Sequence, residues 1–230
     1  MRVVGAGLSD RLRSATQAEH ERAEEAPFVV ALMSGRLDRD GYARLVGQIW
    51  HVYSELERTA GGWRGHPVAG PFVIDELHRT AALEADLRWL YGPKWTDRVT
   101  PLAATERYVE RLRTICTTST SAFVAHHYTR YLGDLSGGQI IRRRLADLYG
   151  LTADGVTFYV FDGIGKVKPF KDGYRRLLNE AAWSPAEHDE LVAEANEAFR
   201  LNRAVFENLA EAVGLADRPT SLDITPRTDA

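Results

Sequence analysis

The run Tyr131-Leu132-Gly133-Asp134-Leu135-Ser136-Gly137-Gly138-Gln139 constrains this chain more than any other stretch. It sits inside a segment, from about Ser121 to Tyr149, that otherwise reads as helix, yet it carries three glycines. Each glycine in a helix interior costs roughly 1 kcal/mol relative to alanine, about 3 kcal/mol for the three. Gly133 and Gly137 are four positions apart and share one helix face, with Gly138 beside them. A bare backbone face lets something flat and bulky lie against the helix, either another helix in close crossing or a planar cofactor. Asp134 favours the ligand, because helix packing would prefer an apolar residue or alanine in the patch. The neighbouring turn Tyr128-Thr129-Arg130-Tyr131 is also polar and aromatic. A carboxylate beside such a surface can organise water or protons next to a bound group.

A second feature lies at Ser9–Glu24. Ser9 is expected to cap a short helix and Pro27 to close it. His20 and Glu24 are spaced i, i+4 and face the same way. An imidazole that ligates a metal usually gives its other N–H to a carboxylate or carbonyl, and Glu24 is placed for that. A helical histidine near a glutamate is also a common solvated surface pair. His126 and His127 have no carboxylate at i+4, those positions being Arg130 and Tyr131, and His51, His66, His78 and His188 read as surface or helix-end residues.

Together these segments resemble the haem oxygenase family. Tyr128–Gln139 looks like that family's distal helix and Thr16–Glu24 like its proximal helix. The resemblance continues through Asp38-Arg39-Asp40-Gly41-Tyr42, Trp50-His51-Val52-Tyr53, Lys171-Asp172-Gly173-Tyr174-Arg175 and Phe199-Arg200-Leu201-Asn202, over about residues 9 to 212. It implies an all-α, single-domain fold with haem b held between a proximal helix and a kinked, glycine-rich distal helix. His20 would be the axial iron ligand, with Glu24 supporting it. Gly133 and Gly137 would let the distal helix approach the other haem face, Gly138 would relax the same kink, and Asp134 would hold a distal water network that Tyr53 joins. Arg13, Tyr128, Lys171, Tyr174 and Arg175 fall where the family binds haem, all but Tyr128 at the propionates. Arg13 stands where some relatives have lysine, which keeps the charge and changes the donor geometry.

The implied activity is oxidative cleavage of haem to biliverdin, carbon monoxide and ferrous iron, with O2 and externally supplied electrons. Haem is then substrate and cofactor at once, and no tightly bound flavin or nicotinamide is expected. A non-degrading haem carrier or sensor would use the same pocket. Two other chemistries known on similar helical folds fit less well. A di-iron site in a helical bundle expects Glu-x-x-His pairs, and no histidine here has glutamate three positions before it. A thiamin-degrading hydrolase would need an activated cysteine, and Cys116, the single cysteine, has no base near it in sequence.

A net charge of −3 argues against nucleic-acid binding. The positive charge that exists is clustered, at Arg142-Arg143-Arg144 and at Lys166, Lys168, Lys171, Arg175 and Arg176. Part of it could form a basic rim that docks an acidic electron donor, such as a ferredoxin or flavoprotein reductase. One cysteine excludes internal disulfides, no stretch is long enough to span a bilayer, and Met1–Gly7 is too short for a signal peptide. The expectation is a cytoplasmic monomer, with no membrane partner, organised as an extension at 1–8, one domain at 9–213 and a polar tail at 214–230.

Elsewhere, the apolar spacing predicts helices over Asp38–Arg58, Phe72–Tyr91 and Leu102–Cys116. Ser184-Pro185-Ala186-Glu187 carries a capping-box pattern with proline at the first helical position, and should open a last helix reaching about Val213. Val156–Phe161 is the one strand-like stretch.

Overall fold

The computed structural model describes residues 7–215. The tail from 216 onward and the extension before Gly7 lie outside the described residues. Among the described residues the chain is helical and has no strand, as expected. The α-helices are α1 (Leu8–Glu24), α2 (Pro27–Met33), α3 (Arg39–Ala60), α4 (Thr80–Tyr91), α5 (Ala103–Ile115), α6 (Thr120–Gly133), α7 (Gln139–Tyr149), α8 (Val167–Glu180) and α9 (Pro185–Ala212). No described helix is long and apolar enough to cross a membrane. The long α9 packs along both α1 and α6, so it fixes the separation of the two helices expected to sandwich a ligand. Ser184 and Glu187 form the full capping box that starts α9.

The stretch expected as one helix from Ser121 to Tyr149 is α6 and α7 joined by a wide π-helical turn, Asp134–Gly138. A π turn adds a residue to the helical circuit and loosens backbone pairing, a cost tolerated mostly where function needs the bulge. Here it falls on the glycine run.

Three local expectations change. Ser9 does not cap α1: the N-cap is Gly7, and the Asn179 side chain from α8 accepts the Ser9 N–H at 2.9 Å. A β-carbon on Gly7 would lie 2.9 Å from that side chain, so glycine permits the approach. The helix expected from Phe72 begins only at Thr80, because the Glu57 carboxylate on α3 accepts the Arg79 and Thr80 N–H groups and the Arg79 Nε donates to the Leu77 and His78 carbonyls. Short 3₁₀ turns at Gly70–Phe72 and Asp75–Leu77 occupy the earlier part. The strand-like Val156–Phe161 contains a 3₁₀ turn, Thr157–Tyr159. The fully buried Asp86 carboxylate accepts the Thr157 and Phe158 N–H groups at 2.9 and 2.8 Å, satisfying the backbone without a strand partner.

Candidate active site

A cavity with about 910 Å³ of empty space, including its open mouth, lies between α1, the α6–α7 bend and α9. Its walls are mostly apolar with a few polar groups, as in sites for organic ligands. His20 faces it from α1, and Gly133, Asp134, Gly137 and Gly138 face it from the bend. β-Carbons added to Gly133 or Gly137 would meet nothing within 4 Å. The bare face therefore looks into the cavity, and the close helix crossing that the spacing alone allowed is absent. Gly138 has a different reason to be glycine: its β-carbon would come within 3.1 Å of the Tyr159 ring.

His20 is part-exposed and stands edge-on to Phe199 of α9, with ring centres 5.4 Å apart and planes at 79°. Its Nδ1 lies 3.7 Å from the Glu24 carboxylate, close enough for attraction but beyond a hydrogen bond. α1 is held to α9 by the buried Glu19, whose carboxylate pairs with Arg200 of α9 at 3.3 Å and with Arg22 at 2.8 Å.

On the opposite wall Asp134 is tied to three helices. The Tyr53 hydroxyl of α3 donates to its carboxylate, and the Arg130 Nε donates to the same hydroxyl oxygen at 3.3 Å. The Arg130 Nη1 donates to the Asn202 side-chain oxygen on α9. Burial pushes Asp134 up to about 6, while Arg130, the Tyr53 hydrogen bond and Arg79 pull the other way. Burial also drives Tyr53 far above the ordinary phenol value. A carboxyl poised near neutrality, half-buried and open to the cavity, can hold or pass a proton there.

The remaining expected residues divide. Arg13, Tyr128, Lys171 and Arg175 do not line the cavity wall but gather beside it. Burial raises Tyr128, and the nearby Arg175 and Arg13 oppose that rise. Burial lowers Lys171, helped by Arg175 and Arg13 and opposed by Asp172. The Lys171 Nζ donates to Ser136 Oγ on the π turn at 2.7 Å, which anchors this cationic group next to the bend. Such a cluster suits a carboxylate-bearing ligand edge. Tyr174 is the exception: it is buried, its hydroxyl meets His127 Nδ1 at 2.8 Å, and the two rings stack at 6°. Tyr174 thus sits in the core under α8 and not at the cavity.

Sequence reasoning missed several participants. Arg130, four positions before Asp134, was legible as an i, i+4 charge pair in an apolar segment. Asn202 lay in a noted stretch but carried no role until α9 was seen to cross Arg130. Phe158 and Tyr159 line the cavity from the turn misread as a strand. His126 is no ligand either: fully buried, it pairs at 3.1 Å with Glu194 of α9, which also forks onto Arg111. His51 is half-buried, with Nε2 3.3 Å from the Val99 carbonyl. Cys116 is buried and its thiol is pushed up by burial, as suits a structural residue.

The sequence matches the family model described as Heme oxygenase over residues 6–208. It is 37% identical over 216 residues to heme oxygenase 1 of a Synechocystis strain, covering 92% of this chain and 90% of that protein. Solved structures share its fold, among them the two that follow. Heme oxygenase-1 from the cyanobacterium Synechocystis in complex with heme gives a TM-score of 0.85 at 36% identity, covering 92% of this chain and 98% of that one. The heme oxygenase of Leptospira interrogans gives 0.84 at 34%, covering 88% and 99%. The chain belongs to the haem oxygenase family.

Proposed function

We propose that this protein cleaves haem oxidatively to biliverdin, carbon monoxide and ferrous iron, with haem b bound in the cavity between α1 and the α6–α7 bend, in a catalytic domain spanning residues 9–213. The observation that carries the reading is the pairing of His20 with a glycine-bared π turn across one cavity, with Asp134 facing the same space. The cavity fits the group: Gly133 and Gly137 leave backbone where a macrocycle would rest, a histidine faces them, and cations gather beside the bend where propionates would emerge.

When bound, haem supplies the iron that binds O2 and the porphyrin that is oxidised. The rest falls to the chain. His20 would hold the iron, with the Phe199 edge setting the imidazole plane. Neutral imidazole leaves O2 binding open, whereas a thiolate would push electron density towards O–O cleavage. Gly133 and Gly137 present bare backbone to the cavity opposite His20, and would leave the macrocycle room to lie against the helix there. Asp134, with its neighbours Tyr53 and Arg130, would order water in the cavity and hold or pass a proton there. Arg13, Lys171 and Arg175 would hold the propionates, with Tyr128 beside them, and so would orient the haem in the cavity. Electrons come from an acidic donor, a ferredoxin or flavoprotein reductase, docked on the basic rim. The enzyme works as a cytoplasmic monomer.

The test is an optical titration with haemin, followed by a reductant under air. A one-to-one Soret complex that bleaches to a biliverdin spectrum is the expected result. A stable oxy complex with every donor tried would make the protein a carrier or sensor, and no complex would refute the site.

A further inference from the structure

Thr129 on α6 lines the cavity and is 8% exposed. Its hydroxyl oxygen is buried and has no hydrogen-bond partner among the described residues. Helical threonines ordinarily turn the hydroxyl back onto a carbonyl one turn earlier. Thr16, Thr59 and Thr114 do so, onto Leu12, Leu56 and Glu110 at 2.8, 2.8 and 2.9 Å. Thr129 has the same option in the middle of α6 and does not take it. A buried polar atom left unpaired at a cavity wall is one whose partner arrives with the ligand.

The helix fixes which part of the ligand that is. At about 100° per residue, Thr129 lies on the flank of Gly133 that turns towards Tyr128, while Arg130 and Asp134 lie on the opposite flank. The distal proton machinery is thus on the far side of the glycine from Thr129. On the near side are Tyr128 and the cations Arg13 and Arg175 that act on it. Apart from its iron, the polar atoms haem offers are the propionate oxygens, and the cationic cluster marks the end at which they emerge.

We propose that Thr129 is a haem-binding residue whose hydroxyl donates to a propionate carboxylate from inside the cavity wall, complementing the cations outside it. The inference rests on the haem reading above. A short neutral donor on the inner wall would fix the depth of the propionate, which the longer side chains at the rim set less closely.

The experiment compares haemin with haemin dimethyl ester, whose carboxylates are capped, by Soret titration of the wild-type protein and of Thr129→Val and Thr129→Ser. Valine keeps the shape and removes the hydroxyl; serine keeps the hydroxyl. Thr129→Val should bind haemin about tenfold more weakly and the diester as wild type does, because a hydrogen bond to an ionised group is at stake. Thr129→Ser should retain most of the haemin affinity. Equal losses for both porphyrins would make Thr129 a packing residue and overturn the assignment, as would no loss for either. Failure of the wild-type protein to bind either porphyrin would instead refute the haem site itself.

Discussion

The Tyr53 hydroxyl donates to the carboxylate of Asp134, joining α3 to the π turn across 81 positions of sequence. The bond fixes the aspartate in a wall that is otherwise bare backbone, and it acts on the aspartate's proton. By stabilising the ionised form it holds Asp134 below the value that burial alone would set.

Tyr53→Phe should therefore raise the Asp134 pKa above about 6, by about one unit, since one unit corresponds to about 1.4 kcal/mol and the lost bond is of that order. The carboxyl carbon of Asp134 reports this directly in an NMR titration of the haem-free protein. A midpoint unchanged or lowered would show that Arg130, not Tyr53, governs the carboxylate.

Asp134 should also weaken the fold it sits in. Its folded value of about 6 lies above the ordinary 3.8, so between about pH 4 and pH 6 the folded state binds more protons than the unfolded state. Stability from this group then falls as pH rises through that window and stays low above it. Asp134→Asn, which mimics the protonated form, should stabilise the haem-free protein at pH 7.5 by roughly 2 kcal/mol and have little effect at pH 4. Urea unfolding at the two pH values measures the difference, and equal effects at both would remove titration as the cause. Stability gained by disarming a functional carboxylate is the usual trade-off.

Gly133→Ala separates the two uses a glycine can have. Alanine is the better helix former by about 1 kcal/mol, and nothing in the protein stands within 4 Å of the new methyl group. The substitution should raise the haem-free melting temperature while lowering haemin affinity at least about tenfold, because the methyl group occupies the space the macrocycle needs. A fall in both would mean that the glycine face serves packing within the protein.

How much of this was legible beforehand depended on whether the determining contact was local. The α9 capping box is set within four residues and is legible from spacing, whereas the bend at the glycine run is implied only by the family resemblance. Ser9 is not the N-cap of α1, because the group that accepts its N–H comes from Asn179, 170 positions away. The turn at Thr157–Tyr159 read as a strand because Val, Thr, Phe and Tyr favour strands, and the buried Asp86 that overrides them lies on α4. The resemblance put Tyr174 beside Lys171 and Arg175 on α8, but helix rotation turns it inward onto His127. Asn202 gained a role only through the crossing of α9 over α6. Tyr53 was legible only through the family resemblance, and the partners that spacing alone could not reach, such as Asn202, are those brought in by helix crossing.

His20→Ala tests whether His20 is the iron ligand. His20 is part-exposed, in contact with Phe199, and its Nδ1 lies 3.7 Å from the Glu24 carboxylate, beyond a hydrogen bond. Its removal should leave the fold within about 0.5 kcal/mol of wild type, as for most exposed positions. Haem should still enter, held by the propionate contacts and the apolar walls, but its absorption should lose the signature of histidine ligation. Imidazole added to the solution should restore it through the space the side chain vacates. A spectrum unchanged by the substitution would move the ligand elsewhere.

His127 gives the fold its own acid sensitivity, independent of the cavity. Burial lowers it to about 3, with nearby His78 adding to the effect, so between about pH 3 and pH 6.5 the unfolded chain binds a proton there that the folded protein refuses. The sign is opposite to that of Asp134: stability rises with pH across this window and is lost as pH falls, by up to about 1.4 kcal/mol per unit where the difference is a full proton. His127→Gln keeps an acceptor for the Tyr174 hydroxyl and removes the titrating ring. The variant should be less stable than wild type near pH 7, because a stacked aromatic is lost, yet its stability should decline less steeply on acidification. Guanidinium unfolding from pH 7 down to pH 4 measures both slopes, and parallel curves for the two proteins would place the acid sensitivity in another group.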